Sequence, residues 1–404
     1  MKSGDQTGVA VPQVASDQNS FALRNRIMTD HACMNQPEIL ATESNLVRTG
    51  SQGTKNGAER ADYPLVSGTE RNTGVSWQMA MKRAIRSTSE LRKRLNLPTN
   101  VDPGRNPHID PKTAESEFPT FVPIEFLDRI KKGDPNDPLL LQVMTTPAES
   151  VAVDGFDADP VGDMNAFSAP SVLHKYQGRA LVIASGACGV HCRYCFRREF
   201  PYSEVTDQSE NWQAAIDYIA SDSSIDEVIL SGGDPLTLVD EKLFDLIDQV
   251  ESIDHVRRLR IHTRMPIVIP QRITDSLVER LSQSRLAVWF VVHANHPNEL
   301  SSDVLDSLAA LIDVGIPVLN QAVLLRNVND RVETLRKLCQ KLVDHRIAPY
   351  YLHQLDRVRG ASHFEVPVEK GLELMQQLRQ SLPGYAVPTY VYEQSGEPSK
   401  TQLT

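Results

Sequence analysis

The stretch ALVIASGACGVHCRYCFRREF, residues 180–200, joins two kinds of sequence. Its first six residues form a short apolar, β-branched run of the kind that makes a buried strand. The rest is a polar loop with Cys188, Cys192 and Cys195 in a Cys-x3-Cys-x2-Cys spacing. Three thiolates on one tight loop can ligate three irons of a [4Fe–4S] cubane and leave the fourth iron open. A structural zinc site ordinarily takes four protein ligands. No fourth cysteine is near, but His191 lies inside the loop, so zinc and inert thiols stay open on spacing alone. Tyr194 and Phe196 flank the last cysteine and would shield a cluster from water.

Downstream, the strand pattern recurs in EVILS (227–231), VRRLRIHT (256–263), LAVWFVVHA (286–294), IPVLNQAVLL (316–325) and IAPYYLHQL (347–355). Between these runs, apolar residues fall at helical spacing. Trp212, Ala215, Ile216 and Ile219 make one stripe, and Leu243, Leu246, Ile247 and Val250 another. A third, from Val304 to Ile312, stops before Gly315 at a C′ position. Asp330 followed by Glu333 reads as a capping box for a helix carrying Leu335, Leu338, Cys339 and Leu342, which makes Cys339 a buried, inert thiol. Six strand–helix repeats in order predict an α/β fold with a parallel sheet and right-handed crossovers. Six is short of the eight of a closed barrel, so the expectation is an open, partial (β/α)6 barrel with its chemistry at the C-terminal strand ends. The motifs obey that rule: the cysteine loop, SGGDP, HTRMP and HANHPNE each follow a strand. In SGGDP, Gly232 and Gly233 let backbone approach a ligand and Asp234 adds an acceptor, although Gly-Gly-Asp-Pro alone is also an ordinary turn.

Upstream, residues 1–75 are rich in Ser, Thr, Asn, Gln and Gly with no sustained apolar period, and are expected to be a disordered extension that includes Cys33. Residues 76–170 read as a helical section: WQMAMKRAIRSTSELRKRLNLP has a helical alternation that stops at Pro98, and shorter helices end near Gly133 and before Pro147. The barrel is expected over 171–365 and a C-terminal segment over 366–404. The chain of 404 residues is 40% apolar and carries a formal charge of −10, the wrong sign for a default nucleic-acid or anionic-membrane binder. It has no apolar run of membrane-spanning length and no secretory h-region, so a cytoplasmic protein is expected. Five cysteines, three of them within eight residues, do not make a disulfide framework.

With these motifs in place, the cysteine loop resembles the signature of radical S-adenosylmethionine enzymes. The chain from about Trp77 onward is more specifically similar to the lysine 2,3-aminomutases, and within them to the bacterial branch that makes β-lysine for elongation factor P. The stretches that carry this are DPLLLQV, VLHKYQGRAL, CRYCFRREFPY, SGGDPL, RLRIHTRMPIVIPQRIT, NQAVLLRNVND, YYLHQLDRVRGASHF and GEPSKT. The resemblance implies three cofactors: a [4Fe–4S] cluster on Cys188, Cys192 and Cys195, S-adenosylmethionine, and pyridoxal phosphate as a Schiff base on Lys400. From the residues alone, a lysine with four residues after it would be a solvated tail residue.

By the same resemblance, Gly232, Gly233, Asp234 and His293 lie at S-adenosylmethionine, and Lys175, Tyr176, Arg179 and Gln321 lie at pyridoxal phosphate. Arg197 matches the carboxylate-binding arginine, and its fork suits that task. Asp356 and Glu393 match two acids that hold the substrate's distant ammonium; Glu393 is an aspartate in clostridial relatives and reaches one methylene further. The implied reaction turns L-lysine into β-lysine, an isomerisation by 1,2-amino shift, with an external electron donor for the cluster. A pathway link to elongation factor P and its β-lysine ligase follows, and a homo-oligomer is compatible. The alternatives are an aminomutase for another amino acid and a non-catalytic metal-binding module.

Overall fold

A computed structural model describes residues 74–97, 111–205 and 212–404. The expected extension, all but its last two residues, and Cys33 lie outside these, as does Pro98. Ten strands form one sheet in sequence order: β1 (Phe167–Ala169), β2 (Val172–Tyr176), β3 (Arg179–Ser185), β4 (Glu227–Gly232), β5 (Arg258–Thr263), β6 (Ala287–His293), β7 (Val318–Val323), β8 (Ala348–His353), β9 (Thr389–Tyr392) and β10 (Thr401–Gln402). Neighbours from β3 to β9 pair in parallel, while β1–β2, β2–β3 and β9–β10 are antiparallel.

The six predicted strands are β3 to β8. Helices Gln213–Ser221, Asp240–Glu251, Asp275–Ser282, Ser302–Asp313, Val332–Asp344 and Val368–Ser381 carry the six crossovers, the last of them leading to β9. The partial (β/α)6 barrel therefore stands, extended at both edges by strands that sequence periodicity did not mark. The C-terminal segment joins the sheet through β9 rather than being appended to it.

The helical stripes bury as expected: Ala215, Ile216 and Ile219 in one helix, Leu243, Leu246, Ile247 and Val250 in the next, and Cys339 in its own. Gly315 ends its helix with φ +87°, the left-handed conformation a C′ residue needs. Two expectations fail. The helix at 332 is capped by Arg331 with no side-chain cap bond, which puts Glu333 at N2, one residue too early for a capping box with Asp330. The run from Trp77 breaks into Trp77–Lys82 and Thr88–Arg94, because Ile85 pairs its backbone with Val122 and Ser87 caps a fresh start.

Strand alternation builds the interior. In β5, Leu259 and Ile261 are buried away from the cavity, while Arg258, Arg260 and His262 line it inside the barrel. No helix among the described residues is long and apolar enough to cross a membrane.

Candidate active site

A cavity of about 750 Å³ runs inside the barrel from the cysteine loop to the C-terminal hairpin. Strand β3 delivers the loop, and the end of β4 anchors it. The N–H groups of Gly233 and Asp234 donate to the carbonyls of Ser185 (2.8 Å) and Ala187 (2.7 Å). A Cβ on Gly232, whose φ is +118°, would stand 2.4 Å from Ser185 O, and one on Gly233 would stand 2.3 Å from Ala187 O. These glycines therefore first serve the packing of one loop's backbone on another, a constraint that a ligand-approach reading does not capture. The Asp234 carboxylate is likewise not an open acceptor. It accepts from Leu236 N, Thr263 Oγ1, Arg264 N and Met265 N, tying β4 to β5.

Arg193, between the second and third cysteines, is fully buried and locks the loop from the other side. Its Nε donates to both oxygens of the buried Glu149 (3.0 and 3.1 Å), its Nη1 donates to Phe118 O, and Arg198 shares Glu149. His191 does not line the cavity that the three cysteines line. Its Nδ1 is 2.7 Å from Pro119 O and its ring stacks on Phe118 at 5.0 Å.

The three thiols all line the cavity. Burial pushes the Cys188 thiol well up, as do Cys195 and Cys192; burial and then Cys192 push Cys195 up to about 11. Such crowded, buried sulfurs become thiolates only when positive charge sits among them, as the iron–sulfur core of a cluster provides. Among the described residues, no three His, Cys, Asp or Glu side chains are placed to hold a single metal ion. A cubane places each cysteine on a different iron, so the donor set suits a cluster rather than a mononuclear site.

Beside the loop, Tyr194 is buried; its hydroxyl lies 2.9 Å from His293 Nε2 and accepts from Asn295 Nδ2 at 2.7 Å. Burial, then Arg264, depress His293 to about 3, so this imidazole is neutral.

At the far end, the hairpin β9–β10 sets Thr401 opposite Tyr392, so Lys400 meets Glu393 across the turn and pairs with its Oε2. Glu393 Oε1 holds Lys175 at 3.1 Å, Asp163 holds Lys175 at 2.6 Å, and the other oxygen of Asp163 takes Arg197 Nε at 2.6 Å. A continuous chain of alternating charge thus runs Lys400–Glu393–Lys175–Asp163–Arg197. Lys175 has three acceptors, Val161 O (2.9 Å), Asp163 and Glu393, one for each ammonium proton. Glu393 is already shared by two lysines. Burial opposes its ionisation, but Lys400 and Lys175 outweigh it and hold the carboxyl at about 2.

Asp356 differs from its neighbour. It lines the same cavity, yet its Oδ1 is buried with no partner, and burial, then Glu393, push the carboxyl up to about 7. Buried His262 Nε2, His353 Nε2 and Arg260 Nε also lack partners. Arg179 stacks on Tyr176 at 4.5 Å, and both line the cavity with Gln321. A lysine amine, arginines and orphaned donors around one cavity suit an anionic, aldehyde-bearing ligand such as pyridoxal phosphate.

Sequence reading missed Asp163, Arg264, Glu299, His262, His353 and Arg260. The Arg-x-Arg-x-His alternation of β5 was a visible signal for Arg260 and His262. Asp163 had none, since an isolated acid in a loop carries no pattern, whereas Arg264 and Glu299 lie inside HTRMP and HANHPNE, strand-end motifs in which neither residue stood out.

Residues 182–339 match the model of the Radical SAM superfamily. The chain is similar to the L-lysine 2,3-aminomutase of Haemophilus influenzae, 45% identical over 326 residues, which cover 81% of this chain and 95% of that protein. It is 44% identical over 327 residues to the Escherichia coli protein of that name, covering 81% and 94%. The Clostridium subterminale protein is 36% identical over 328 residues, covering 81% and 77%.

Proposed function

Because the chain belongs to the L-lysine 2,3-aminomutase family of radical S-adenosylmethionine enzymes, we propose that it isomerises L-lysine to β-lysine with pyridoxal phosphate carried on Lys400. The observation that carries this reading is Asp356, a buried carboxylate with an unpartnered oxygen, in the same cavity as three cysteines and a lysine amine. An anion buried without a partner is costly, and a substrate ammonium relieves it. A glutamate side chain there would add repulsion, which favours lysine over acidic substrates.

Cys188, Cys192 and Cys195 would hold the [4Fe–4S] cluster, and the ends of β4 and β6, with Gly232, Gly233 and His293, would face S-adenosylmethionine. The Asp234 carboxylate serves that site only indirectly, by holding the strand ends. When bound, these cofactors supply hydrogen abstraction and an electron sink for the migrating nitrogen. The chain's own groups bind and orient. Arg197, fixed through Nε by Asp163, presents its terminal nitrogens to the substrate carboxylate. Asp356 receives the distant ammonium, and Glu393 joins it once Lys400 is engaged with the cofactor and gives up its pairing. Arg179, Tyr176, Gln321 and Lys175, which line the same cavity, would hold the cofactor.

The product's destination, elongation factor P through a β-lysine ligase, belongs to the same proposal and is supported by the motif resemblance alone. The test is anaerobic incubation of reconstituted enzyme with S-adenosylmethionine, pyridoxal phosphate, a reductant and L-lysine, followed by chiral analysis of the products. Unchanged lysine would sink the assignment.

A further inference from the structure

Arg264 follows β5, and its Nη1 donates to Sγ of Cys192 at 2.7 Å. Its Nη2 donates to Gln142 Oε1 at 2.8 Å and to Glu299 Oε2 at 2.9 Å. The guanidinium is buried between the rings of Phe126 and Tyr194, each 5.7 Å away, and its backbone N–H is pinned to Asp234 at 2.7 Å. We propose that Arg264 sets the reduction potential of the cluster, acting through the sulfur of Cys192, with Glu299 as the counter-charge that limits its effect. This rests on the reading that the three cysteines hold a [4Fe–4S] cluster.

Reduction adds one electron, from an external low-potential donor, to a cluster already surrounded by three thiolates. A cation hydrogen-bonded to a ligand sulfur stabilises the reduced form and raises the potential, and burial strengthens the effect. Glu299 opposes it. That carboxylate is fully buried and also accepts from Gln142 Nε2 and from the N–H groups of Asn295 and His296, so it is held rigidly against the guanidinium. Only a forked side chain addresses a sulfur with one terminal nitrogen and an acid with the other, which a lysine cannot reproduce. Arginine keeps its proton throughout the working range, so no proton accompanies the electron at this pair. Arg264 is thus a positioning residue whose charge, and not only its shape, matters.

The test is a potentiometric titration of reconstituted full-length protein, followed by the electron paramagnetic resonance signal of the reduced cluster. Arg264→Met should shift the midpoint downward, Glu299→Gln should shift it upward, and Arg264→Lys should fall between wild type and Arg264→Met. Iron content, measured alongside, should match wild type. Shifts of the same sign in Arg264→Met and Glu299→Gln, or no shift in either with iron retained, would overturn the proposal. If Arg264→Met loses iron, the Glu299→Gln shift decides alone. If wild-type protein takes up no iron, the cluster reading itself has failed, a result distinct from the others.

Discussion

Lys400 faces Glu393 across a hairpin and pairs with it, seven residues apart in the chain. The lysine that looks like a tail residue in sequence is therefore held inside the cavity by a partner that the hairpin register supplies.

Lys400→Ala should remove the yellow absorbance of bound pyridoxal phosphate and reduce lysine turnover to assay background, because the amine that holds the aldehyde is gone. Iron content should be unchanged, as the cysteine loop lies at the other end of the cavity. Retention of the yellow band after desalting would refute the assignment of Lys400.

Asp356→Asn should lower kcat/KM for lysine by about 2–5 kcal/mol of binding, roughly 30-fold or more, since it deletes one member of a buried charge pair. Steady-state kinetics on lysine measures this. An unchanged kcat/KM would remove Asp356 from the substrate site.

The pH dependence of that site has a definite sign. The Asp356 carboxyl is raised from 3.8 to about 7, so across that window the unfolded chain has lost a proton that the folded one keeps. Stability from this group therefore falls as pH rises from about 4 to about 7 and is flat above it. Asp356→Asn should gain Tm relative to wild type at about pH 8 and not at about pH 4. Binding of lysine needs the ionised form, so wild-type KM should fall as pH rises through 7, and the variant should lose that slope. Equal Tm differences at both ends would contradict this.

Glu149→Ala should cost about 3–5 kcal/mol, because it leaves Arg193 and Arg198 buried without their shared anion. Urea unfolding of the as-purified protein reads the loss. Since Arg193 sits between two of the cysteines, iron uptake should also fall; a loss under 1 kcal/mol would show that the pair does not support the loop.

The parts of the molecule legible in sequence were those with a local period or spacing. Strands β3, β4 and β6 are nearly continuous apolar runs, β5 and β7 bury every second residue, and crossover helices are stripes at 3.6-residue spacing, so β3 to β8 and their helices could be read directly. The Cys-x3-Cys-x2-Cys loop is equally local. Strands β1, β2, β9 and β10 are short and mixed in polarity, and only pairing with the neighbouring strand marks them as sheet.

The sequence by itself determined the partial barrel, the cysteine loop at the end of its first parallel strand, and a family in which Lys400, Arg197 and Asp356 carry expected roles. Only the tertiary structure decided what each charge is doing. Lys175 and Glu393 stand 218 residues apart in the chain, and Arg264 and Cys192 stand 72 apart, so no periodicity relates them. Their pairing depends on which strands lie side by side, and it links Lys175 to Asp163 and Glu393 in one chain of charge. It also places Arg264 on the sulfur of Cys192, where the low dielectric of the interior makes a single charge count.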